Sequence, residues 1–190
     1  MHGSLVALLE AGESDEIAVL AAFDHEELGS ESRTGASGPL LADVLTRTGA
    51  ALGAGTDEQH RAWARSFCVS SDAGHAIHPN YPERHDPVNR PLLNVGPLLK
   101  INANQRYASE AVGMARWQDV CRRAGVRVQP FVSNNAMPCG STIGPLTATR
   151  LGIPVVDVGI PALSMHSARE LTGAKDPYEL TRALTGFWSG

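Results

Sequence analysis

Apolar and polar positions along the 190-residue chain alternate between two periods. Continuous apolar runs at Ile17–Phe23, Phe67–Ser70, Leu98–Asn102, Arg127–Val132 and Ile153–Val158 predict buried strands of the kind that parallel sheets carry. Between them, apolar residues recur at helical spacing. This predicts a helix ending over Leu5–Ala11, helices over Pro39–Ala51, 57–66, Ser109–Ala124 and Pro145–Leu151, and a closing helix over Pro177–Trp188. Pro39 stands where a first helical turn tolerates proline. Gly29–Gly38 and the long stretch Gly74–Pro97 lack periodicity and read as loops, and a loop as long as the second is uncommon unless functional or disordered. The alternation predicts an α/β fold, a three-layer sandwich with a largely parallel sheet. No internal repeat or inter-domain linker interrupts it, so residues 1–190 read as one domain.

Composition narrows the function classes. The chain is 43% hydrophobic and 19% charged, as a globular protein is. Its net charge of −4 and scattered basic residues offer no face for nucleic acid. No apolar run reaches the ~20 residues of a membrane span. The N-terminus lacks the basic start of a signal peptide. Cys68, Cys121 and Cys139 fit neither a disulfide framework nor a paired-cysteine zinc site, and a reducing cytoplasm is the expected location.

Polar clusters follow three of the predicted strands. The first is FDHEELGS (23–30), with adjacent Glu26 and Glu27. The second is SSDAGHAIHPNY (70–81), with Asp72, His75 and His78, and the third surrounds His166 in SMHS (164–167). Open α/β sheets bind ligands at strand ends, and carboxylates with imidazoles are donors for divalent cations. Neighbouring glutamates on an extended chain point apart, so one can ligate while the other acts on a bound water. A lone histidine or a Glu-Glu pair is more often a solvated surface feature; three such clusters together make a metal site an even alternative.

Five segments sharpen the reading: FDHEELGS, SSDAGHAIHPNY, KINANQRY (100–107), NNAMPCGSTIGP (134–145) and GIPALSMHSARE (159–170). In order and spacing they resemble the signature segments of the aspartyl aminopeptidase family, from about Ala18 to the C-terminus. The resemblance implies a phosphorylase/hydrolase-like catalytic domain that removes N-terminal Asp or Glu from peptides at a two-metal centre, normally zinc, with cobalt or manganese as substitutes. It casts Glu26 as general base and Glu27, Asp72 and His166 as metal ligands. Lys100 and Tyr107 would contact the acidic substrate side chain, and His75 and His78 would line the site. Cys139 is expected to be a small buried residue rather than a nucleophile, with Asn134, Asn135 and the turn after them shaping the pocket.

The departures from that family are specific. Its His-x-Asp motif and bridging Asp lie upstream of the Glu-Glu pair, where this chain has only His2, Asp15 and Asp24 in unrelated contexts. Its inserted dimerisation domain has no counterpart here. The expectation is therefore a catalytic domain incomplete at its N-terminus, belonging to a homo-oligomeric aminopeptidase when whole. An inactive fragment or a binding module that retains the fold is the alternative, and a related aminopeptidase or deacylase of the same superfamily with a different substrate preference is a third.

Overall fold

The computed structural model describes residues 1–190 as a mostly parallel open sheet flanked by helices. Its strands are β1 (Cys68–His75), β2 (Leu98–Ile101), β3 (Gln129–Val132), β4 (Val155–Leu163) and the short β5 (Leu171–Thr172). The sheet order is β1-β4-β2-β3, with β5 on β4. β1 runs parallel to β4 and β2 parallel to β3; an antiparallel contact between β2 and β4 joins the two pairs. The helices are α1 (His2–Glu10), α2 (Leu40–Ala51), α3 (Thr56–Arg65), α4 (Ala111–Arg123), α5 (Gly144–Leu151) and α6 (Asp176–Trp188).

One face of the sheet carries the main core. Val156 and Val158 of β4 and Leu99 of β2 meet Trp117, Val120 and Cys121 of α4 and Leu180, Ala183 and Leu184 of α6. The three- and four-residue spacings in both helices put these side chains on one stripe, which is why the helices lie flat on the sheet. α1 joins this layer through Ala7, which is fully buried. On the other face Leu98, Tyr107 and Phe131 form a smaller cluster.

Buried carboxylates tie loops to this frame. Asp157, 0% exposed in the middle of β4, accepts hydrogen bonds from the Ala108 amide at 2.6 Å and the Thr142 hydroxyl at 2.7 Å. It thereby fixes the loop carrying Tyr107 and the start of α5, where Gly144 approaches so closely that a side chain would collide with the carboxylate. Asp176 accepts from the Asn94 amide at 2.8 Å and the Gly96 amide at 3.2 Å, holding the end of the long loop before β2.

The structure corrects the expected strand at Ile17–Phe23. The segment pairs with nothing, and Ile17 is 67% and Val19 45% exposed. An apolar run becomes a strand only when a partner edge takes its backbone groups, and none is present beside it. β1 and β4 run further than expected, to His75 and Leu163, because they pair along their whole length. Asp72 therefore sits within a strand, opposite Gly159, rather than at its end. β5, too short for any periodicity to mark, was not expected.

Candidate metal centre

The residues expected to hold and use a metal lie on three elements: the Glu26–Leu28 turn, β1 and the turn after β4. Glu26 and Glu27 open a single 3-10 turn, Glu26–Leu28, entered through His25 in the left-handed region at φ 60°. His166 stands in the turn after β4, itself at φ 64° with Ser164 at 56°. Non-glycine residues at positive φ are uncommon and are held there by surrounding bonds. The His166 amide donates to the Glu170 carboxylate at 2.6 Å, and the His25 ring lies 2.8 Å from the Ser32 hydroxyl.

Side-chain geometry then links the clusters. His166 Nε2 lies 2.7 Å from Glu27 Oε2, joining the turn after β4 to the Glu26–Leu28 turn. Asp72 Oδ2 lies 2.9 Å from Lys100 Nζ, and the same ammonium donates to the Ala73 carbonyl at 2.6 Å. Lys100 reaches β1 from β2 across β4, where Gly159 lies opposite Asp72; a side chain at Gly159 would stand 2.6 Å from the Asp72 carbonyl oxygen. Only 2% of Lys100 is exposed, and its ammonium also lies 5.5 Å from the centre of the Tyr107 ring, within cation–π reach.

Electrostatics show the same neighbourhood. Partial burial, then Asp72 and Glu27, raise the Glu26 carboxyl above the ordinary carboxylate range; Lys100 and His166 oppose the rise. Burial, with His166 and Lys100 nearby, lowers His75. Glu26 is thus placed where its proton affinity responds to Asp72, Glu27, Lys100 and His166.

His78 stands apart from this cluster. Its Nδ1 accepts from the Asn80 amide at 3.1 Å and its ring packs 5.1 Å from Tyr81. With His75, His85, Arg84, Tyr107 and Phe131 it lines an adjoining cavity of about 390 Å³. Tyr107 is buried there, its hydroxyl 3.5 Å from Cys139 Sγ, and burial pushes its phenol above the ordinary range. Cys139 is half-buried, and its Sγ accepts a hydrogen bond from the Ser133 hydroxyl at 3.1 Å. Asn134 donates to the Glu83 carbonyl at 2.7 Å, tying the segment after β3 to the turn at Pro82–Arg84.

The donor types, two kinds of carboxylate and an imidazole, suit zinc. Their arrangement falls short of a closed set: no three His, Cys, Asp or Glu side chains converge so as to hold a metal ion. Glu27 and His166 are joined, while Asp72 is engaged by Lys100. Sequence reasoning missed Asp157, Glu170, Arg84 and His85. An aspartate inside an otherwise apolar strand was a readable signal for the first. Nothing local marks Arg84 or His85, which reach the cavity only through the folding of the long loop.

Comparison with known proteins identifies the lineage. The profile of the aminopeptidase I zinc metalloproteases, family M18, matches residues 1–188, and the chain belongs to that family. It is 53% identical over 191 residues to a probable M18 family aminopeptidase 2 of Streptomyces coelicolor, a match covering 98% of this chain and 44% of the relative. A namesake from Mycobacterium leprae is 47% identical over 188 residues, covering 99% of this chain and 44% of its own. Among solved structures, an M18 aminopeptidase from Thermotoga maritima superposes with a TM-score of 0.90 at 28% identity, covering 99% of this chain and 43% of that one. The S. cerevisiae mApe1 dodecamer gives 0.85 at 34% identity, covering 98% and 44%. The chain therefore spans less than half the length of these curated relatives and structures.

Proposed function

We propose that the complete protein is a zinc metallo-aminopeptidase that removes an N-terminal Asp or Glu from peptides, and that these 190 residues supply part of its catalytic domain. The supporting observation is the single neighbourhood of Glu26, Glu27, Asp72, Lys100 and His166 in a chain of the M18 family. Glu27, Asp72 and His166 would hold zinc, with the remaining ligands of a two-ion site coming from outside this chain. Bound zinc would supply Lewis-acid polarisation of the scissile carbonyl and acidify a water.

The chain's own groups do the rest. The Glu26 carboxylate, its proton affinity raised by burial and by its acidic neighbours, accepts a proton at a side-chain oxygen and returns it to the leaving amine. Lys100 supplies the counter-charge for an acidic substrate side chain. Its ammonium is buried against Asp72, and exchanging that carboxylate for the substrate's keeps the buried cation paired, whereas a neutral side chain would leave it alone. Tyr107 walls the same spot, and His75 and His78 line the adjoining cavity. By analogy with the yeast dodecamer, the whole protein forms a homo-oligomer. A second reading, that the 190 residues alone are inactive, is favoured by the lack of a convergent ligand set.

A chimaera tests the proposal: these 190 residues replace the matched part of the Streptomyces coelicolor relative. Chelator-sensitive release from an aspartyl anilide, at least about tenfold preferred over a leucyl anilide, is expected, and Lys100→Met should erase the preference. In the same chimaera Glu26→Gln should lower kcat by roughly 10²–10⁴ with zinc content unchanged. Equal cleavage of both anilides would sink the acidic preference. Undiminished kcat in Glu26→Gln would remove Glu26 from its role.

A further inference from the structure

Asp157 is the one carboxylate inside the otherwise apolar β4, and it is fully buried. No lysine, arginine or histidine pairs with it. A buried carboxylate is costly, and an apolar side chain packs a strand interior as well or better. What Asp157 adds is its two oxygens, which go to two different segments. Oδ2 accepts from the Ala108 amide and Oδ1 from the Thr142 hydroxyl.

Those segments are two halves of one wall of the 390 Å³ cavity, the first contributing Tyr107 and the second Met137, Pro138, Cys139 and Gly140. The Ala108 N–H belongs to the peptide unit that leaves Tyr107. That unit is planar, so holding it fixes how the Tyr107 backbone, and with it the ring, is turned. Thr142 anchors the far end of the second half. The halves are also stitched to each other: Ser141 Oγ donates to the Arg106 carbonyl at 3.2 Å, and Cys139 Sγ to the Tyr107 hydroxyl at 3.5 Å. The Tyr107 ring packs against Phe131, 6.0 Å between centres, and carries the Lys100 ammonium 5.5 Å from its own centre.

We propose that Asp157 is a positioning residue for substrate selection. By holding the Tyr107–Ala108 peptide and Thr142 together, it sets where the Tyr107 ring stands against the Lys100 ammonium, and so how strongly an acidic side chain is preferred over a neutral one. Fully buried, it acts through the two halves of the wall and never touches substrate. This role rests on the reading of Lys100 as the substrate's counter-charge. It concerns binding and not the proton transfer of Glu26, to which neither of its side-chain bonds leads.

The same chimaera tests it, with aspartyl and leucyl anilides. Thr142→Val removes one bond and Asp157→Ala both. Each should raise KM for the aspartyl anilide, by about fivefold and about tenfold, with kcat and the leucyl kinetics moved by no more than about twofold. Asp157→Asn is the rescue: its amide oxygen accepts from the Ala108 amide and its NH2 donates to the Thr142 hydroxyl oxygen, so KM should return to within about twofold of the parent. A second readout uses the thiols of the 190-residue chain. Burial pushes Cys68 and Cys121 up to about 12, so they report on the core while Cys139 reports on the wall. Iodoacetamide should label Cys139 about tenfold faster in Thr142→Val and Asp157→Ala than in wild type or Asp157→Asn, leaving Cys68 and Cys121 unlabelled. If Lys100→Met erases the aspartyl preference while Thr142→Val and Asp157→Ala keep it, the role of Asp157 is overturned and the reading of Lys100 stands. A parent chimaera with no aspartyl preference would end both. Labelling of all three cysteines together in Thr142→Val, or a kcat that falls equally for both anilides, would make Asp157 purely structural and overturn the proposal as well.

Discussion

Residues 67–190 and residues 12–66 have similar apolar content to the eye but fold to different degrees of completion. The first stretch contains the whole sheet and the stripes of α4 and α6, and almost all buried residues. In the second only Ser30, Gly35 and Ala36 are buried; neither α2 nor α3 buries a residue, and Ile17–Phe23 lies open. The difference is one of partners rather than of propensity. β4 has a neighbour along each edge and a helix layer on each face, so its apolar residues leave water; Ile17–Phe23 has neither. The residues proposed for the site straddle the boundary, with Glu26 and Glu27 on the open side and Asp72, Lys100 and His166 on the packed side.

The largest effect that would sharpen this contrast lies in the core. Trp117 is fully buried between α4 and the sheet, and Trp117→Ala should cost about 3–5 kcal/mol in denaturant unfolding. Its indole N–H has no hydrogen-bond partner, so Trp117→Phe should cost less than the cavity alone would suggest. A cost under 1 kcal/mol for the alanine variant would mean that α4 is not fixed to the sheet.

A smaller effect follows pH. His85 is buried, its Nε2–H donating to the Ala76 carbonyl at 3.1 Å and its ring edge-on to Phe131. Burial, only partly opposed by that hydrogen bond, lowers its pKa below the ordinary histidine value of about 6.5. The unfolded chain then takes up the proton first, so stability should fall as pH drops below about 6.5 and level off below the folded-state value. In His85→Gln that part of the slope should vanish. An identical slope in the variant would assign it to other groups.

The smallest effect belongs to the open side. Ile17→Ser or Val19→Ser should change the stability of the isolated chain by no more than about 0.5 kcal/mol, against several for a comparable change in β4. A large cost, read from the same denaturant curves, would show that the segment is packed after all.

Most of the architecture was legible because it is periodic. The stripes Trp117–Val120–Cys121 and Leu180–Ala183–Leu184 mark two helices, and the apolar run of β4, interrupted by Asp157, marks a central strand. The same rule misread Ile17–Phe23, since composition reports a preference for burial and not the presence of a partner edge. The clusters around Glu26, Asp72 and His166 were visible as chemistry, and the structure brings them into one neighbourhood. The pairing of Asp72 with Lys100 was not visible, because it depends on register across β4 at Gly159. Arg84 and His85 were equally hidden, being delivered to the cavity by an aperiodic loop.

On the proposed function, these 190 residues carry only part of a metal site. That is tested most directly by zinc stoichiometry, measured by equilibrium dialysis and elemental analysis of the purified chain beside Glu27→Gln and His166→Ala. Less than one tightly held ion per chain is expected, with the residual weak binding lost in either variant, because Glu27 and His166 are the only joined donors of the expected ligand set. Two tightly held ions per chain, retained in both variants, would contradict it.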